Sequence, residues 1–146
     1  MRTLSRRRRR LLLAGLLLLA WGARYLANSV DRNDDSDSQS AIAEAFRDRR
    51  SGLMVGAEGT VERLLADDRE GSPHQRLIVR LAGGQTVLVS HNIELAPRVP
   101  AAAGDRLGFR GQYEWGERGG VVHWTHHDPQ GRRPGGWLRH RDQTYR

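Results

Sequence analysis

From Gly59 to His126 the apolar residues fall mostly on every second position, in short runs separated by clusters of Gly, Pro, Asp and Ser. Period two is the spacing of a strand with one face in a core, and such clusters mark where the chain turns. GTVERLLA (Gly59 to Ala66) is the first predicted strand, and DDREGSP (Asp67 to Pro73) is a loop of turn-forming residues. HQRLIVRLA and QTVLVSH predict two further strands joined by Gly83-Gly84 as a two-residue hairpin loop, because glycine accepts the positive φ that such a turn demands. In that register Val79 opposes Leu88, Arg76 opposes His91, and His74 lies diagonally from His91 on the same face.

Ahead of these strands the period changes. Ser40 is placed to cap a short helix through SAIAEAFRDRR, in which Ile42, Ala45, Phe46 and the following Leu53 keep helical spacing. Behind them, IELAPRVPAAAGD carries two prolines and reads as one turn of helix and a connector. GDRLGFRGQYEW (Gly104 to Trp115) is a fourth strand with Leu107, Phe109 and Gly111 on one side, GERGG turns it, and VVHWTH returns as a fifth. Five short strands with a connector between the third and fourth predict a mainly β fold: a small five-stranded OB-like Greek-key barrel preceded by a short N-terminal α-helix. An antiparallel β-sandwich is the alternative.

The first segment follows another rule. MRTLSRRRRRLLLAGLLLLAW places a cluster of arginines before an apolar run from Leu11 to Ala23. That run suits a signal-peptide core and falls short of the roughly 20 residues that span a bilayer. Residues 1–27 therefore predict a signal peptide or N-terminal membrane anchor, with the protein exported to the periplasm or held there on the inner membrane. Residues 28–40 are polar and acidic and predict a flexible spacer, which leaves 41–146 as a single β-barrel domain.

The net charge of +7 changes meaning once it is located. Seven of the 24 arginines lie in the first 24 positions, and the remaining 17 balance the 17 acidic residues. The basicity belongs to the leader, which argues against nucleic acid as the partner. No cysteine is present, so disulfides, thiolate metal ligands and cysteine nucleophiles are excluded.

Candidate chemistry gathers in HWTHHDPQGRRPGGW, His123 to Trp137. His123, His126, His127 and Asp128 are side chains of the kind that hold zinc or a similar divalent cation, although their spacing matches no established ligand pattern. Strand alternation sets His123 and Thr125 against Val122, Trp124 and His126, so convergence needs the strand to end near His126. A hydrogen-bond network tying the last strand to the Gly-rich tail is the structural alternative. Trp115, Trp124, Trp137 and Tyr113 offer flat faces for sugars or bases, and Arg132, Arg133, Arg139 and Arg141 can meet an anionic group. Asp67, Asp68, His74 and His91, with Ser72 and Ser90 nearby, are the candidates for acid/base catalysis.

Three stretches, DDREGSPHQRLIVRLAGGQTVLVSHNIELAPRV, GDRLGFRGQYEW and GGVVHWTHHDPQGRRPGGWLRH, resemble a DUF3465-like family of small exported bacterial proteins of unknown function, over about Gly52 to Tyr145. The resemblance implies an exported single-domain protein with no assigned activity. Its motif positions fall on Asp67, Asp68, His74, Gln75, His91, Asn92, His123, Trp124, His126, His127, Asp128 and Trp137. Where that family often carries another histidine before GGW, this chain has Arg133 and Pro134, which weakens a ligand role there. Taken together, these features favour a binding module of the cell envelope with a saccharide or other anionic polymer as partner. A metal-dependent hydrolase built on the His/Asp cluster is the alternative.

Overall fold

The structure is a computed structural model that describes residues 39–146. The expected leader, and the spacer up to residue 38, lie outside the described residues. Gln39 and Ser40 belong to helix α1 (39–47), so Ser40 stands inside the helix instead of capping it. Seven strands follow: β1 (Leu53–Asp68), β2 (His74–Arg80), β3 (Thr86–Asn92), β4 (Arg106–Glu114), β5 (Val121–His123), β6 (Trp137–His140) and β7 (Gln143–Tyr145). Leu53, expected to extend the helical spacing, is the first residue of β1.

Five strands are hydrogen-bonded in a ring, β1-β2-β3-β5-β4 and back to β1, with β6 and β7 continuing from β4. All neighbours are antiparallel except β3 and β5, which run parallel through Leu88↔Val121 and Val89↔Val122. The mainly β fold and its ring of five strands are as predicted, and the ring is compatible with either a β-barrel or a sandwich. One long strand makes the closure possible: β1 pairs with β4 over Leu53–Thr60 and with β2 from Thr60 onward. Its register shifts between Val61 and Arg63, a bulge that bends the strand from one neighbour to the next.

Inward positions alternate as the sequence pattern requires. Val55, Ala57 and Val61 from β1, Leu77 and Val79 from β2, and Val87 and Val89 from β3 meet Leu107, Phe109 and Tyr113 from β4. Helix α1 lays Ile42 and Ala45, both fully buried, on this core. Trp115 holds the helix there, its indole N–H donating to the Phe46 carbonyl at 3.1 Å.

The β2–β3 hairpin differs from the prediction by one residue. The loop has three residues, with Gly84 at φ +85°, the Leu81 amide donating to the Gln85 carbonyl and the Gly84 amide to the Leu81 carbonyl. This is a turn ending in a left-handed glycine, so Gln75 opposes His91 and His74 opposes Asn92. A one-residue slip exchanges the two faces of a strand. His91 and Gln75 therefore face inward, while His74 faces out.

Those two inward polar residues have a structural task. The connector after β3 forms a single turn around Asn92 and no helix. Gln75 donates to the Val99 carbonyl at 2.8 Å and accepts from the Val99 amide at 2.9 Å, and His91 Nε2–H donates to the Pro97 carbonyl at 3.1 Å. Buried amide and imidazole groups thus satisfy an extended segment that has no strand partner of its own.

Candidate functional site

Strand β5 is short because Trp124 leaves it. Trp124 has φ +55°, a left-handed conformation that costs a non-glycine residue of the order of 1–3 kcal/mol and reverses the alternation of side chains. Thr125, expected on the same face as His123, is consequently fully buried, and its Oγ1 meets His91 Nδ1 at 2.8 Å. The chain makes an excursion through 124–136 and then resumes pairing with β4 as β6, along the edge that β5 began: Gln112↔His123 first, Arg110↔Trp137 after.

Backbone geometry closes this loop at its base. The Gly136 amide donates to the His126 carbonyl at 2.8 Å. A Cβ on Gly136 would stand 2.0 Å from the Trp124 carbonyl oxygen and 2.4 Å from that of Arg110, so this position of the GGW segment is fixed by steric closure. Asp128 shapes the outer part. Its Oδ1 accepts the Gln130 amide at 3.0 Å, and its Oδ2 accepts those of Arg132 and Arg133 at 2.7 and 2.8 Å. These N–H groups, Gln130 foremost, hold the carboxyl below the ordinary aspartate range.

Inside the excursion lies a cavity of about 180 Å³. Trp124, His126, Met54 and Pro134 supply its apolar faces, and Gln112, Asp128 and Arg133 its polar groups. The Arg133 guanidinium lies over the Trp124 ring, 4.9 Å from its centroid, and the His126 ring is tilted against the same indole at 5.4 Å. His126 Nδ1–H donates to the His127 carbonyl at 2.7 Å, so the neutral ring keeps Nε2 as an acceptor. Met54 and Gln112, which the sequence pattern did not single out, arrive because they face each other across β1 and β4. Their signal becomes legible only once that register is known.

The four proposed metal ligands are not brought together. His123 Nε2 meets Glu114 at 3.4 Å, His127 is exposed, and Asp128 is turned into its own loop. Among the described residues, no group of three or more His, Asp or Glu side chains is arranged to hold a metal ion. The acid/base candidates lie close together, Asp68 opposite His74 and His74 near His91, but each is engaged elsewhere: Asp67 pairs with Arg98, Asp68 accepts the Glu70 amide, His74 Nδ1–H donates to the Ser72 carbonyl, and His91 is buried.

The proposed ligand residues divide. Tyr113 is a core side chain, its hydroxyl donating to the Gly119 carbonyl at 3.1 Å, and Trp115 clamps α1 under the Arg49 guanidinium. Trp137 lies half-exposed under Arg139, which also reaches Glu58 at 3.8 Å. Arg132 is exposed on the Asp128 turn. Trp124 is the one proposed aromatic that lines the cavity at the excursion.

A second, open groove of about 610 Å³ crosses β1–β3. Ile78, Leu88 and Val121, in register on the outer face, form its floor, and the β4–β5 loop forms a wall. Among the described residues, no helix is long and apolar enough to cross a membrane. Residues 25–146 match the family model described as a protein of unknown function, DUF3465. No curated protein matches the chain.

Proposed function

Since the chain belongs to the DUF3465 family, whose function is unknown, we propose a role from its own geometry: a ligand-binding module that takes one ring of a saccharide into the Trp124 cavity. The observation that carries this reading is the cavity itself, about 180 Å³ in volume, with an indole on one side and polar groups around it. A cavity of about 150 Å³ lined by apolar side chains takes up a benzene ring, so this one suits a single six-membered ring. A pyranose has an apolar C–H face for the indole and hydroxyls for Gln112 and His126 Nε2.

Two further features support it. Trp124 is held in a costly backbone conformation, and such strain gathers at binding sites. The cavity also sits on a loop that the ring of strands holds by both ends, which keeps its backbone in place before a ligand arrives. The arginine-rich leader makes an envelope polysaccharide the source in reach.

The test is a glycan array probed with the full-length protein in mild detergent. Binding of a defined set of glycans is expected. Trp124→Ala should weaken it by about 1–3 kcal/mol, with the worth of an aromatic side chain stacked on a nucleobase as the guide, and Trp137→Ala should leave it in place. Binding to no glycan, or binding that Trp124→Ala leaves untouched, refutes the reading.

A further inference from the structure

What sets Arg133 apart from the other described arginines is its place at the cavity. Arg106 and Arg139 reach Glu58, and elsewhere Arg80 pairs with Glu62 and Arg98 with Asp67. Arg133, like Arg110 and Arg132, has no ion pair with a described carboxylate, and of the three it alone lines the cavity. Its backbone is anchored through its amide to Asp128 Oδ2 at 2.8 Å, and its guanidinium rests on the Trp124 ring at the cavity. Asp128, the carboxylate nearest in sequence, spends its oxygens on three backbone amides of its own turn.

A guanidinium on an indole face is held loosely. Cation–π attraction at an exposed site is weaker than a charge-assisted, two-pronged hydrogen bond to a carboxylate. The side chain therefore has a better partner than the one it has, and the backbone anchor keeps that partner's position beside Trp124. We infer that the cavity selects an acidic sugar: the pyranose ring packs on Trp124, and its carboxylate takes the Arg133 guanidinium off the indole. This rests on the saccharide reading above and adds the charge of the ring to it.

The number of charges favours a carboxylate over a phosphate ester. One guanidinium balances one negative charge in a planar fork, whereas a phosphomonoester brings about 1.5 to 2 negative charges and three acceptor oxygens. Among the described residues Arg133 is the one arginine lining this cavity, and Asp128 already adds negative charge there.

Isothermal titration of the full-length protein with glucuronic acid, glucuronamide, glucose and glucose 6-phosphate tests the inference. Glucuronic acid is expected to bind about tenfold or more tightly than glucuronamide, as one charged hydrogen-bonded pair allows. That ratio should shrink at high salt and fall to about one in Arg133→Gln. Arg132→Gln, on the same turn but outside the cavity, should keep it. Equal affinities for the acid and the amide overturn the acidic-sugar inference while leaving the saccharide reading standing, and tighter binding of the phosphate overturns the choice of carboxylate. A preference that survives Arg133→Gln removes the proposed residue. No binding of any of the four, together with an empty glycan array, overturns both readings.

Discussion

Replacing Gly136 by alanine tests whether the excursion is fixed at its base. An added Cβ would lie 2.0 Å from the Trp124 carbonyl oxygen, 2.4 Å from that of Arg110 and 2.9 Å from Thr125 Cα. All three neighbours are backbone atoms, so no side-chain rotation relieves the overlap, and β6 or the loop must move. Overpacking of this kind costs about 1–3 kcal/mol and more where backbone shifts. For a domain of about 100 residues, 2–3 kcal/mol lowers Tm by roughly 8–24 °C. Gly83→Ala is the control: its Cβ would meet nothing within 4 Å and Gly83 has no positive φ, so its Tm should stay the same or rise slightly. Thermal unfolding followed by circular dichroism reads both variants. A Gly136→Ala protein that melts within about 1 °C of the parent would refute the claim that the crossing of Trp124, Arg110 and Gly136 sets the loop.

Two further outcomes follow from the same geometry. Burial foremost, with the nearby His126 and His74 adding to it, holds the His91 imidazole below its ordinary pKa, so the unfolded chain binds a proton that the folded chain resists. Stability should be at full strength above about pH 6.5 and fall as pH drops through that value. His91→Gln should flatten that fall in a Tm series from pH 8 to 5, and a parent curve level over the interval contradicts the assignment. The carboxylates held low, Asp67, Asp105, Glu114 and Asp128, lose their contribution only below about pH 5, at the acid edge of this window. Asp128→Ala should speed amide exchange at Gln130, Arg132 and Arg133 and alter Trp124 fluorescence while barely moving the unfolding midpoint. Unchanged protection of those three amides would show that the carboxylate does not hold the turn.

The ring of five strands was legible because period-two burial holds along most of it: Leu77, Val79, Val87, Val89, Leu107 and Phe109 all face the core as their spacing requires. What failed to show was set by single residues with unusual backbone. Gly84 lengthens a hairpin loop by one residue and turns His91 inward, and Trp124 breaks an alternation that ran on paper to His126. β6 and β7 were missed because each is only three or four residues long and β6 depends on an edge of β4 that β5 leaves free. Trp124 and His126 were legible as site candidates from their chemistry. Met54 and Gln112 were not, since only the β1–β4 register brings them to the cavity.

Because β5 and β6 lie on one line along β4, the chain between them behaves as a cassette inserted into a completed ring of strands. Its two ends are fastened by the Gly136–His126 hydrogen bond, and the ring strands pair without it. Doubling the length of such a loop adds only about 0.6 kcal/mol of closure entropy. Evolution or an engineer can thus rewrite residues 127–135 as a recognition module while keeping Trp124, Thr125 and Gly136 as the socket.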